Sequence, residues 1–120
     1  MALVLCTGVD KTLLSTRKFI LEHAGHTVIA VSDESALVAA CRKHRFEVAV
    51  IGQTVSSNVK RRIFSLIREN SPDAKVLELY PFHDGRVLDH ADAWLAVPAD
   101  VPQDLADRVT VLAADKNQQA

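Results

Sequence analysis

Five short runs, Leu3–Cys6, Thr27–Val31, Val48–Ile51, Val76–Tyr80 and Trp94–Val97, are apolar along nearly their whole length. They lack the polar–apolar alternation of a half-exposed strand. Each therefore reads as a strand buried on both faces, the mark of a parallel sheet covered by helices. The segments between them carry a helical period. Leu13, Leu14, Ile20, Leu21 and Ala24 precede Gly25, a good helix stop, and Ala36, Leu37, Ala40 and Cys41 form an apolar face after Ser32-Asp33-Glu34. Val59, Ile63, Leu66 and Ile67 form a third face, and Leu105, Val109 and Leu112 a last one. Strands alternating with helices through right-handed crossovers give an α/β, doubly wound, five-stranded parallel sheet.

The chain has 120 residues, the size of one domain, here residues 1–115 followed by a polar C-terminal tail, 116–120. Fourteen Lys plus Arg against fifteen Asp plus Glu leave a formal charge of -1, so no global basic field attracts nucleic acid or an anionic membrane. No run approaches the roughly 18 apolar residues of a membrane span. Cys6 and Cys41 are far apart and in apolar company, without a CxxC pair or zinc-type spacing, and read as reduced, buried thiols of a cytoplasmic protein.

Three stretches carry a resemblance. Leu21-Glu-His-Ala-Gly25-His-Thr-Val28 is similar to the end of the first helix leading into strand two of a response regulator receiver domain. Phe46-Glu-Val-Ala-Val-Ile51 resembles that family's run into the phosphoacceptor. Ala91-Asp-Ala-Trp94-Leu-Ala-Val97-Pro98 resembles its strand-five signature, which ends Lys-Pro. The resemblance covers nearly the whole chain. It implies a flavodoxin-like sheet of strand order 2-1-3-4-5 and a single receiver-like domain of two-component signalling.

It also implies where phosphoryl chemistry would sit: a magnesium-binding acidic pair after strand one, a nucleophilic aspartate after strand three, a Thr or Ser after strand four and a Lys after strand five. Carried over residue by residue, the acidic pair falls on Gly8 and Val9, with Asp10 one step on. The nucleophile falls on Gly52, beside Gln53. The Thr/Ser position falls on Tyr80 and the Lys position on Val97. Glycine has no side chain to phosphorylate, and Val50–Ser56 contains neither Asp nor Glu. One isolated carboxylate is a poor magnesium site. We therefore expect a degenerate, phosphorylation-independent receiver, with no catalytic residue, metal or cofactor.

The connection from Tyr80 to Trp94 is shorter than the family's by more than one helical turn, so the fourth helix should be reduced to one or two turns. That would leave Tyr80, Phe82, Trp94 and Leu95 as candidates for a protein-partner or homodimer interface on the strand-four/strand-five side, with strand five at the sheet edge. The charge of Glu78, inside a central strand, needs solvent or a partner. Asp10 and Asp33 are expected to cap helices; a remnant or weak cation site is the other reading. His23 and His26 should lie on the surface, and Lys60-Arg61-Arg62 on a solvated helix face. A different functional class remains open: a small-molecule-binding domain using the emptied crevice around Gly8, Gly52 and Tyr80.

Overall fold

The computed structural model describes residues 2–98 and 101–118, with side chains as far as residue 114. Its elements run β1 (Leu3–Thr7), α1 (Lys11–His23), β2 (Thr27–Val31), α2 (Glu34–Lys43), β3 (Val48–Ile51), α3 (Ser57–Asn70), β4 (Lys75–Pro81), β5 (Ala93–Val97) and α4 (Gln103–Gln118). All strand pairs are parallel and the order is β2-β1-β3-β4-β5, so β5 is an edge strand as expected.

Strand alternation divides the core into two layers. Val4, Cys6, Val48, Val50, Leu77 and Leu79 face α1 and α4. Leu5, Ala49, Ile51 and Val76 face α2 and α3. The helix starts follow local capping chemistry. Asp10 Oδ1 accepts from the Thr12 and Leu13 amides at 2.9 and 3.1 Å, and Asp33 Oδ1 accepts from the Ala36 amide at 2.8 Å. Gly25, at φ +97°, takes the left-handed conformation that ends α1. Helix α4 continues to Gln118, past Lys116 where the polar tail was expected to begin; Lys and Gln are good helix formers. Gln119 and Ala120, the end of that tail, lie outside the described residues.

Two expectations are corrected. His26 is buried rather than on the surface. Its Nδ1 accepts from the Ala2 amide at 3.1 Å, which leaves the proton on Nε2, 3.0 Å from Thr110 Oγ1. The ring thus joins the start of β1 to α4. Lys60 is not solvated either: it is 1% exposed, while Arg61 and Arg62 are exposed. Its position on the inner stripe, three and seven residues before Ile63 and Ile67, turns it inward in place of the exposed Val59.

Lys60 Nζ donates to Glu78 Oε2 at 2.8 Å and to the Leu79 carbonyl at 2.7 Å. Glu78, fully buried, accepts in turn from the amides of Val87 and Leu88, the closest at 2.9 and 2.8 Å. Those amides belong to the β4–β5 connection, which holds turns but no helix, so the shortening goes further than the expected one or two turns. The connection covers much of the edge that was expected to be bare. Leu88 and Ala91 are buried, Trp94 Nε1 donates to the Leu88 carbonyl at 2.9 Å, and the Arg86 guanidinium lies 4.5 Å from the Trp94 ring centroid. Arg68 Nη2 donates to the His90 carbonyl and pairs with Asp92 at 3.1 Å, closing the far end. At the edge strand itself, Arg108 Nη1 donates to the Trp94 carbonyl at 2.6 Å.

The buried pair and the buried histidine can each be tested by unfolding. Lys60→Met leaves Glu78 buried without its charged partner and should cost roughly 3–5 kcal/mol in denaturant unfolding, whereas Lys60→Met combined with Glu78→Gln, which keeps an acceptor for the Val87 and Leu88 amides, should cost clearly less than Lys60→Met alone. A double variant less stable than Lys60→Met would contradict a pairwise role. For His26, burial pushes the pKa below its ordinary value. A depressed folded-state pKa contributes stability fully present above the unfolded value of about 6.5 and lost as pH falls through the folded value. Melting temperature should therefore fall more steeply below about pH 6.5 in the wild type than in His26→Gln.

Candidate functional site

Doubly wound sheets place their sites at the carboxyl ends of the strands, beside the point where strand order reverses. In this chain that point lies between β1 and β3, where Gly8 and Gly52 follow the two strands. The Gly52 amide donates to the Thr7 carbonyl at 3.0 Å, and Thr7 Oγ1 donates to the Val50 carbonyl at 3.2 Å, drawing the two chain segments together. The space above Gly52 is taken. An ideal Cβ at Gly52 would lie 2.9 Å from the Thr7 carbonyl oxygen and 3.1 Å from Nη1 of Arg17. Glycine is required here by close approach rather than by its backbone angles.

Arg17 is the residue that sequence reasoning missed. It sits on the buried stripe of α1, three residues after Leu14 and four before Leu21, and is itself buried. That periodic position was the signal that could have found it. Its Nη2 donates to Oε1 of Gln53. Among the described residues, no carboxylate lies within ion-pair distance of it. Burial lowers its pKa, opposed by attraction to Cys6 and Asp10. The buried Cys6 thiol is pushed up to about 12 by desolvation, against the opposing pull of Arg17.

The seven residues expected around the emptied pocket are only partly brought together. Gly52 and Gln53 meet Arg17, and Gly8 lies beside Gly52. Val9 is exposed, and Asp10 is engaged as a helix cap. Tyr80 follows the alternation of Glu78 onto the α3 face, and Val97 packs on the α1/α4 face. Gly8, Gly52 and Tyr80 do not line one crevice: Gly8 lines one cavity, Arg17 and Gln53 line another, and Gly52 and Tyr80 line neither of these. One, of about 120 Å³, lies between Gly8, Val9, Asp33 and the α2–α3 pair, bridged by the exposed Arg62–Glu34 ion pair at 2.7 Å. The other, of about 420 Å³, includes Arg17, Gln53 and Val97. Among the described residues, no three His, Cys, Asp or Glu side chains are grouped so as to hold a metal ion, and Asp10 and Asp33 serve separate caps.

The interface candidates also separate. Trp94, half-buried, faces the α2–α3 layer, and Leu95 faces the α1/α4 layer on the other side of the sheet. Phe82 is the most exposed of them at 72%, with its ring edge-on to His83.

This architecture matches solved receiver domains. A response regulator receiver domain protein from Clostridium thermocellum superposes with a TM-score of 0.78 at 20% identity, over 100% of both chains. A CheY-like receiver domain protein from Methanospirillum hungatei gives 0.81 at 17% identity, over 100% of this chain and 99% of that one. The receiver domain of a Pseudomonas aeruginosa sensor histidine kinase, whose structure has magnesium coordinated in the active-site cleft, gives 0.75 at 15% identity, over 94% and 98%. No family model matches the sequence, and no curated protein does. The chain therefore has the receiver fold, at a sequence distance where fold is what the likeness establishes.

The close approach at Gly52 makes a direct prediction. Gly52→Ala adds one methyl group against the Thr7 carbonyl and Arg17, and should destabilise the protein by about 1–3 kcal/mol in chemical unfolding. Gly8→Ala, whose added methyl would meet nothing nearer than Leu14 Cδ2 at 3.7 Å, should be better tolerated. Equal tolerance at both positions would contradict the packing described.

Proposed function

We propose that this chain is a phosphorylation-independent signalling module, a receiver fold that works by protein contact rather than by accepting a phosphoryl group. One observation carries the reading. At the end of β3, where the resemblance would put the nucleophile, stands Gly52 with the Arg17 guanidinium packed over it. A receiver's acceptor carboxylate is both nucleophile and part of a magnesium site, and the cation needs several oxygen ligands. Here the nearest side chains contribute the Arg17 guanidinium, which repels Mg²⁺, and the Gln53 amide, whose oxygen is already engaged by Arg17. The lysine that a receiver uses after strand five is Val97, and the buried Lys60 is committed to Glu78 on the α3 side of the sheet.

The contact surface we assign is the β4–β5 side, where Phe82 stands exposed on a connection anchored at Glu78 and Asp92. A protein partner or a second copy of the chain would seat against it. Exposed aromatics on a fixed frame are the usual anchors of such contacts.

Incubation with acetyl phosphate or phosphoramidate and Mg²⁺ should leave the intact mass unchanged. A stable single phosphoryl adduct, mapped to Asp10 or any other carboxylate, would overturn the reading. Phe82→Ala should fold normally and weaken self-association or partner binding by about 2 kcal/mol. Association unchanged by Phe82→Ala would move the surface elsewhere.

A further inference from the structure

The larger cavity has a composition that the module reading leaves unused. It is bounded by α1, the ends of β4 and β5 and the start of α4, with Ile20, Leu79, Leu95 and Leu105 among its walls. Its volume of about 420 Å³ is in the range of small-molecule sites, which are apolar with a few placed polar groups. The placed polar groups here are Arg17, Gln53 and Thr16, whose hydroxyl donates to the Thr12 carbonyl. Among the described residues no buried polar side-chain atom is left without a partner, so the Arg17 donors not taken by Gln53 are open to this space, where an anion with matched hydrogen bonds can meet them. Among the described residues that anion is absent: the one hydrogen bond of the Arg17 side chain goes to Gln53. A carboxylate meets the remaining guanidinium donors two at a time, and Arg is the side chain built for that geometry.

We propose that this cavity binds a small organic monocarboxylate with an apolar body, its carboxylate on Arg17 and its body against the leucine-lined walls. The site favours one negative charge over a phosphate dianion, because Lys60, the one buried lysine among the described residues, is spent on Glu78 across the sheet. Occupancy would link α1, β5 and α4. The proposal goes beyond the module reading by giving the emptied receiver an input other than phosphorylation.

The test is an amide-resolved NMR titration of the full chain at fixed ionic strength with three probes: 4-phenylbutyrate, its neutral analogue 4-phenylbutan-1-ol, and inorganic phosphate. The acid should give saturable shifts at Leu13, Gln53, Leu95 and Leu105, with an affinity at least about tenfold above that of the alcohol, as expected for a hydrogen-bonded charge pair. Phosphate should give no saturable shift at these amides. Arg17→Met should bring the acid down to the alcohol's affinity. No saturable binding of the acid, equal affinities for acid and alcohol, or shifts confined to the α2–α3 cavity would each overturn the proposal. If Arg17→Met fails to fold, the acid-against-alcohol comparison on the wild type decides alone. Failure here leaves inertness to phosphodonors intact, since that is read by mass.

Discussion

The structure turns on the Lys60–Glu78 pair. A carboxylate in the middle of a central parallel strand has no access to water, and only a cation with further hydrogen bonds makes it tolerable. Lys60 supplies the cation, and the Val87 and Leu88 amides supply the rest. Through this one carboxylate α3, β4 and the β4–β5 connection are held together. The connection can then lie flat over the sheet without being a helix, because Glu78 satisfies two of the amides a helix would have satisfied internally. Trp94 closes against Leu88 as a consequence. A pair of this kind contributes little net stability over an apolar substitute; its effect is to fix which segments meet.

Across the sheet, a second buried cation, Arg17, sits beside Gly52 at the end of β3. Gly52 and Arg17 are complementary: the missing side chain makes the room, and the guanidinium fills it. The two arrangements are linked by what they withhold. On the proposed reading, the phosphoryl chemistry of a receiver would need carboxylates near β1 and β3 and a free lysine near β5. This chain offers a cation at the first place and apolar Val97 at the second, and its buried lysine is engaged on the opposite layer.

Most of the fold was legible because its causes are local. The apolar runs became β1 to β5 within a residue or two, and Asp10, Asp33 and Gly25 did what their side chains or lack of one dictate. The polar residues that were misplaced or missed share one physical origin. Arg17, Lys60 and His26 are polar residues at inward positions, and hydrophobic patterning assigns polar residues outward. Lys60 and Arg17 each fall in register with an apolar stripe, and that register carried the information that their charge obscured. Glu78 signalled the need for a partner but not which one, since Lys60 lies 18 residues away in sequence. Of the residues expected in one crevice, Gly8, Gly52 and Gln53 lie together at the ends of β1 and β3, while Tyr80 and Val97 fall on opposite faces of the sheet. The Arg17–Gln53 contact beside Gly52 spans 36 residues of sequence, which spacing alone does not reveal.

The central claim is that the end of β3 has exchanged an acceptor for a resident cation. Beryllofluoride with Mg²⁺ tests this most directly, because it mimics the phosphoryl group on an intact acceptor carboxylate and requires the metal beside it. In amide-resolved NMR, Gly8, Val9, Asp10, Gly52 and Gln53 should show no saturable change on adding the two together. A saturable, magnesium-dependent change at those amides would mean that a working acceptor site survives, and would contradict the account.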